Sequence, residues 1–286
     1  MGASPRPVRH PVKGVPHMTS PWIAALAALF LWWFSTGLLL WRVRAADNAG
    51  PRAHLMSVVL FAPLLVAGIA GFAASMHMAS VNGAYAAFLS ALAIWGWIEL
   101  AFLSGIITGP NLAPCPPGLP LWPRFVRSFA TIAWHEALLA ATVLLMWAVS
   151  RDAANTFGLW TFAVLFFARI SAKLNLFFGV PRINVDFLPK PLSHLASHFR
   201  TAPMNWVFPI SITALSFASA CWIERAIAAP TDGAVIGFIL LAALTLLALL
   251  EHWFMVLPLP DAKLWTWMIP DRTLHLLDKK EPNHGL

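Results

Sequence analysis

Long apolar segments alternate with short polar ones along almost the whole chain. Each apolar segment has about twenty residues, the length that an α-helix needs to cross the hydrocarbon core of a bilayer. Within a segment the apolar residues are continuous rather than alternating, which argues against membrane-barrel strands. The pattern therefore predicts an all-α, polytopic membrane protein, a bundle of seven transmembrane helices. The predicted spans are residues 21–41, 54–78, 84–107, 125–149, 156–179, 205–223 and 234–257.

Composition supports this class of protein. Hydrophobic residues make up 59% of the 286-residue chain and charged residues only 11%, whereas a soluble domain carries about a quarter charged residues. The predicted organisation is an N-terminal extension (1–20), the seven-helix transmembrane domain (21–257) and a C-terminal tail (258–286). Within that tail, Trp265 and Trp267 are predicted to anchor the chain at the membrane interface.

The excess of basic residues bears on orientation rather than on nucleic-acid binding. The chain has 19 Lys and Arg against 12 acidic residues. Most of the basic residues outside the spans lie in the first, third and fifth loops and in the C-terminal tail. The positive-inside rule then predicts a periplasmic N-terminus and a cytoplasmic C-terminus. A natural start at Met18, which we expect, would sharpen this bias by removing Arg6, Arg9 and Lys13.

Seven ionisable residues interrupt the predicted spans at a similar depth. At a rise of roughly 1.5 Å per residue, they lie about 9–16 Å from the cytoplasmic ends of their helices. A charge inside a membrane is costly and normally faces protein or water rather than lipid. We therefore expect a polar layer inside the bundle. Its members are Glu99, His135, Glu136, Arg169, Lys173, Glu251 and His252.

Three interpretations of this layer are open. Arg169 and Lys173 are one turn apart and repel unless carboxylates neutralise them, so the layer could be an ion-pair network that fixes helix register. It could instead bind or transfer a small molecule or a proton. A metal site is the third interpretation, since histidine and carboxylate ligands suit iron, manganese or zinc, although no spacing identifies a firm one. The candidate metal ligands are His135, Glu99, Glu251 and His252.

Other polar positions are weaker candidates. Asn175 and Asn205 are predicted to tie helix ends together by hydrogen bonds. His77 and His135 are candidate pigment ligands, because an imidazole nitrogen can bind a metal such as the magnesium of a chlorophyll. A plain interfacial histidine is the alternative for His77. Residues 187–200 mix apolar and basic positions, a pattern typical of a short interfacial helix or of a connecting loop.

Six segments carry a family resemblance. They are AFLSALAIWGWIELAFLSGIITGP (87–110), CPPG (115–118), WHE (134–136), ARISAKLNLFFGVPRINVDFLP (168–189), MNWVFPISIT (204–213) and EHWFMVLPLPDAKLWTW (251–267). In this order they resemble the photosynthetic complex assembly protein 2 family, the PuhE-type proteins, over roughly residues 20–268. The resemblance rests on long segments rather than on one short motif.

The resemblance implies a multi-pass protein of the bacterial inner (intracytoplasmic) membrane that supports photosynthetic complex formation or pigment supply. The implied partners are reaction-centre or light-harvesting subunits, other assembly factors and the lipid bilayer. It assigns no catalytic residue and no cofactor, and leaves bacteriochlorophyll or a precursor as the candidate ligand. We therefore expect a non-catalytic assembly factor. The alternative is an intramembrane enzyme or metal protein of bacteriochlorophyll metabolism that uses the Glu/His layer.

Overall fold

A computed structural model describes residues 19–185 and 188–258. Within these ranges the fold is helical, and Val180 and Thr201 form an isolated parallel bridge. The α-helices are α1 (Pro21–Ala49), α2 (Pro51–Leu60), α3 (Ala62–Ser75), α4 (Val81–Leu103), α5 (Leu121–Ala130), α6 (Ala133–Val149), α7 (Phe157–Phe178), α8 (Val207–Ala228) and α9 (Asp232–Phe254). A 3-10 helix, Lys190–His198, lies between α7 and α8. The predicted Trp265 and Trp267 anchor and residues 1–18 of the predicted extension fall outside the described ranges.

Six helical segments in the described ranges are long and apolar enough to cross a membrane. They are α1, the α2–α3 pair, α4, α7, α8 and α9. The α5–α6 pair passes the same test only when its two helices are taken together, and these are bent by 70° at their break. Length and composition thus indicate a multi-pass membrane protein and confirm the all-α prediction. A seventh span and the orientation of the termini stay predictions.

The helix boundaries differ from the predicted ones by several residues at most ends, and two of these differences change the architecture. The first helix does not end near residue 41 but continues to Ala49, where Gly50 has a φ of +99° and Pro51 begins α2. Glycine tolerates this backbone conformation and proline favours the first position of a new helix. The predicted span over 125–149 is not one unbroken helix, because α5 ends at Ala130 and α6 begins at Ala133.

The loop after α4 stabilises the break between α5 and α6. The backbone N–H of Asn111 donates to the carbonyl of Ala130 at 3.1 Å, and that of His135 donates to the carbonyl of Thr108 at 3.0 Å. The side chain of Asn111 also donates to the carbonyl of Arg127. Backbone groups that the break leaves without helical partners are therefore bonded within the protein, as membrane-depth backbone requires.

Helices α4 and α9 form the centre of the bundle. More than half of the residues in their apolar windows are buried, and α9 packs against α1, α4, α7 and α8. Small residues permit the close approach: a Cβ on Gly237 would lie 2.3 Å from the ring of Phe157. Such small-residue contacts are typical of membrane helix packing, where lipid is as apolar as the side chains. Helix α7 packs against α4, α6, α8 and α9.

Candidate functional site

The polar layer contains two ion pairs that join α7 to its neighbours. Arg169 Nη2 of α7 donates to Glu99 Oε2 of α4 at 2.9 Å. Four residues further along α7, Lys173 Nζ pairs with Glu136 Oε1 of α6. The two cations that would repel each other on one helix face thus have separate carboxylate partners on separate helices. The arrangement fixes the register of α7 against both α4 and α6.

His135 is enclosed between α4 and α6. Its side chain is 0% exposed, and its ring stacks on Phe102 with centroids 4.2 Å apart. Nε2 lies 3.6 Å from Glu99 Oε1, too far for a normal hydrogen bond, and neither ring nitrogen has a hydrogen-bond partner among the described residues. Since this enclosure leaves the ring no open face for a macrocycle, pigment ligation at His135 would require α4 and α6 to separate.

The aromatic ring of Phe102 lies between the Lys173–Glu136 ion pair and His135. Lys173 Nζ lies 5.2 Å from the centroid of Phe102, within cation–π range. Phe102 therefore contacts both the Lys173 ammonium and the His135 imidazole. Lys173 and Glu136 keep only 18% and 12% of their side-chain surfaces accessible. A buried pair of this kind is costly to break, because removing one partner leaves the other charge uncompensated.

Arg169 is the open edge of the layer. Its side chain is 38% exposed although its partner Glu99 is 7% exposed. Its Nε atom is buried and has no hydrogen-bond partner among the described residues. On a helix that is apolar enough to span a membrane, we expect an exposed guanidinium to meet water, a headgroup or a polar group of another molecule rather than hydrocarbon. The layer is thus closed at Glu99 and accessible at Arg169.

The α9 half of the predicted layer is organised differently. His252 Nδ1 donates to the Ala248 carbonyl at 2.7 Å, since a carbonyl only accepts. Its Nε2 is 2.8 Å from the Ser171 hydroxyl, which donates to it in neutral His252. Glu251 beside it belongs to none of the four ion pairs in which both partners are described residues. His252 therefore connects α9 to α7 through a serine that the sequence pattern does not single out.

Two asparagines join α7 and α8. Asn205 Nδ2 donates to Asn175 Oδ1 at 3.1 Å and to the Gly179 carbonyl at 2.7 Å. Its Oδ1 accepts from the backbone N–H groups of Val207 and Phe208, which caps the start of α8. Asn175, 0% exposed, donates to the Ser171 carbonyl. It also donates to the Ser211 hydroxyl at 2.9 Å. These bonds link α7 to α8, and the Ser171 hydroxyl separately links α7 to His252 of α9.

Sequence reasoning missed a buried acid at the end of α1. Asp47 Oδ1 lies 3.2 Å from His54 Nε2 and accepts the backbone N–H of Lys190 at 3.0 Å. Lys190 Nζ donates back to the Asp47 carbonyl at 2.8 Å. The contacts fasten the α1–α2 turn to the 3-10 helix. The sequence carries no local signal for these contacts, because Lys190 is 143 residues away from Asp47.

A second missed cluster fixes the polar side of α5. Arg124 Nη2 donates to the carbonyls of Phe177 and His198 at 3.0 and 2.9 Å. The Ser128 hydroxyl lies 3.0 Å from His198 Nδ1, and His198 Nε2 lies 3.2 Å from the Ala113 carbonyl. Burial lowers the pKa of His198, the Ala113 carbonyl partly opposes this, and neighbouring arginines add to the lowering. Neutral His198 satisfies both contacts, as donor to Ala113 and acceptor from Ser128.

The metal and pigment candidates are dispersed. No group of three or more His, Cys, Asp or Glu side chains in the described ranges is arranged to hold a metal ion. Glu99 and His135 are adjacent to each other, whereas His252 bonds to Ser171. His77 is exposed in the turn between α3 and α4. Of the two candidate pigment ligands, only His77 is accessible.

Fold and site together define a class, a multi-pass α-helical protein of the membrane type whose intramembrane charges are paired between helices. The chain belongs to the family described as "Protein of unknown function (DUF3623)", whose pattern matches residues 18–275. It is similar to a protein of Rhodobacter capsulatus described as an uncharacterized 30.4 kDa protein in the puhA 5' region. The two are 60% identical over 253 residues, which cover 88% of this chain and 92% of the relative. No solved structure matches the chain.

Proposed function

We propose that this chain is an inner-membrane accessory factor for assembly of the bacterial photosynthetic reaction centre and light-harvesting complexes. The likeness to the protein in the puhA 5' region carries the proposal, because it extends over nearly the full length of both chains. It agrees with the reaction-centre setting that the family resemblance implies. The protein acts by binding partner helices or by supporting pigment supply, and in either role the helical bundle provides the binding surface.

The open edge at Arg169 is the proposed contact with a partner helix. Most of the layer is internally paired, which leaves Arg169 as its accessible cation. A partner helix that carries a carboxylate or another hydrogen-bond acceptor would satisfy the guanidinium that Glu99 engages from one side. In hydrocarbon such a contact needs no large polar surface, because a few hydrogen bonds and close packing drive helix association.

Deletion and complementation test the assembly role. The gene for the relative is deleted in Rhodobacter capsulatus, and this chain is supplied from a plasmid. The near-infrared absorption of the membranes then measures reaction centres and antenna per cell. We expect lower complex content in the deletion strain and recovery with this chain. Unchanged complex content in the deletion strain would rule out an assembly role.

A pair of variants tests the contact at Arg169. Arg169→Gln removes the charge, and Phe167→Leu is its matched control, since Phe167 is an exposed apolar residue on the same helix. We expect Arg169→Gln to lose co-purification of reaction-centre or antenna subunits while Phe167→Leu retains it. Both proteins must remain monodisperse in detergent. Equal co-purification by the two variants would reject the contact and leave the assembly role to the deletion experiment.

Pigment supply has its own test. His77 is the accessible one of the two candidate ligands, so bacteriochlorophyll or a precursor is proposed to bind there. Protein purified from photosynthetically grown cells should then absorb in the pigment region, and His77→Leu should abolish this absorption. Colourless wild-type protein would exclude the pigment role but not the binding of partner helices.

A further inference from the structure

Helix α5 has a strongly divided surface. Its apolar side carries large side chains at helical spacing, Leu121, Trp122, Val126 and Phe129, and all four are exposed. The opposite side carries Arg124, Arg127 and Ser128. In a water-soluble bundle the apolar side would turn inward, but here it is the outer side. A helix that is apolar on one face and basic on the other is typical of one lying in a membrane interface.

The polar side of α5 cannot rotate outward, because it is bonded to the protein. The Arg124 guanidinium donates to carbonyls at the end of α7 and at the end of the 3-10 helix. Ser128 bonds to the buried His198 ring. The Arg127 carbonyl accepts from Asn111. These contacts come from three different segments, so they fix the apolar side in its outward position.

The position of α5 along the axis of the bundle follows from the ion pair between Lys173 and Glu136. Lys173 lies five residues before the end of α7, roughly 7.5 Å along the helix, and Glu136 lies three residues after the start of α6, roughly 4.5 Å. Because the two side chains touch, α6 begins within a few ångströms of the level where α7 ends. Helix α5 leaves that point at 70° to α6. It therefore runs nearly in the plane of the membrane, level with the ends of the spanning helices.

The surroundings of α5 match the chemistry of a lipid interface. A cavity of about 480 Å³ opens at its first turn and is lined by Gly118, Leu119, Leu121, Arg124, Phe199 and Arg200. Two guanidinium groups among apolar side chains suit a lipid phosphate whose acyl chains continue along the apolar side of the helix. The arginines thus distinguish a bilayer from a purely apolar partner.

We propose that α5 is an interfacial anchor whose apolar side inserts into the bilayer at the boundary between headgroups and acyl chains. The bilayer covers Trp122, Val126 and Phe129, and a lipid phosphate lies at Arg124 and Arg200. Because Ala130 leads directly into the break before His135 and Glu136, the anchor also holds the start of α6 at the depth that its ion pair requires. The proposal does not depend on the role in photosynthetic assembly.

Spin-label accessibility in lipid nanodiscs tests the proposal on the full chain. Cys115 and Cys221 are replaced by serine, and a single nitroxide is attached to Val126→Cys or, independently, to Phe129→Cys. Collisions with oxygen, which concentrates in lipid, are compared with collisions with a water-soluble nickel chelate. Leu145→Cys on the exposed side of α6 is the lipid reference, and Asp152→Cys in the exposed α6–α7 loop is the aqueous reference.

We expect the oxygen-to-nickel collision ratio at residues 126 and 129 to lie severalfold above that at 152 and to approach that at 145. Nickel collisions as frequent as at 152 would show a water-facing helix and overturn the proposal. Suppression of both collision rates well below those at 145 would also overturn it, by showing a second copy or another protein on this face. Two label positions keep the test decisive if one variant fails to fold.

Discussion

Removal of Arg169 provides the sharpest test of the polar layer. Arg169→Met deletes the cation that is 2.9 Å from the buried Glu99 carboxylate. Breaking a buried pair by removing one partner costs about 3–5 kcal/mol. Because the Arg169 side chain is 38% exposed, solvent or headgroups screen part of the pair. We therefore expect the free energy of unfolding to fall by about 2–4 kcal/mol, which is less than the loss for a fully buried pair.

Proton uptake limits this loss and makes it depend on pH. At pH 7.5, protonating a carboxylate with an ordinary pKa of about 4.3 costs roughly 4.4 kcal/mol, and each lower pH unit removes about 1.4 kcal/mol of that cost. In Arg169→Met, Glu99 has lost its cationic partner and can become neutral by taking up a proton. By the same arithmetic, its penalty at pH 5.5 should not exceed roughly 1.6 kcal/mol. The variant should thus approach wild-type stability on acidification.

Equilibrium unfolding in mixed micelles, followed by far-ultraviolet circular dichroism, measures these free energies. Arg169→Met combined with Glu99→Gln should recover most of the loss, because no buried charge is then left without a partner. Arg169→Met combined with Glu136→Gln is the matched control and should recover none, since it also strands Lys173. Equal stability of the two double variants would refute the assigned pairing. A loss that does not shrink between pH 7.5 and 5.5 would refute the stranded-carboxylate explanation.

Three further predictions follow from the helix contacts. Asn205→Ala removes both the cap of α8 and the donor contacts to Asn175 and Gly179, and it should lower the free energy of unfolding by about 1–3 kcal/mol in the same assay. Asn205→Asp keeps the capping oxygen but places a carboxylate oxygen against the Gly179 carbonyl, so it should not restore wild-type stability. Gly237→Val forces atoms into the Phe157 ring and should cost about 1–3 kcal/mol, whereas a Phe157→Ala background should remove most of that loss. The lowered pKa of His198 means that its contribution to stability is present above its ordinary pKa of about 6.5 and is lost as pH falls further. His198→Gln should therefore reduce the acid sensitivity of the protein, and an unchanged pH profile of stability would contradict this prediction.

The sequence predicts the helical class and much of the polar layer because both depend on strong local signals. A charge in an apolar segment stands out, and Glu99, Glu136, Arg169 and Lys173 do form pairs in the structure. Which carboxylate meets which cation is a different matter, since it depends on which helices are neighbours. One-dimensional depth places Glu251 among the counter-ions as readily as Glu99. The packing of the helices decides which of the two carboxylates pairs with Arg169, and this packing cannot be predicted from the apolar pattern of the sequence.

The break between α5 and α6 shows a second limit. Residues 125–149 are apolar enough to suggest one span, and no glycine or proline marks the break at Thr131 and Ile132. The break is stabilised instead by tertiary hydrogen bonds, which Asn111 donates and the Thr108 carbonyl accepts. The predicted depth of His135, ten residues into a span, fails for the same reason, because His135 lies in the first turn of α6. Local patterns do not reveal a bend that distant residues impose.

Helix α7 is the element through which the polar contacts of the bundle meet. Its Arg169 and Lys173 pair with α4 and α6, while Ser171 and Asn175 bond to α9 and α8. In a bilayer the hydrophobic effect does not distinguish one apolar helix contact from another, so packing alone specifies register weakly. Polar contacts at successive positions on one helix do specify it, since a shift by one turn would strand buried charges on α4 and α6. We therefore expect the layer to have a structural role even where it binds nothing. Arg169, which is more exposed than the other paired cation, Lys173, can also contact a partner.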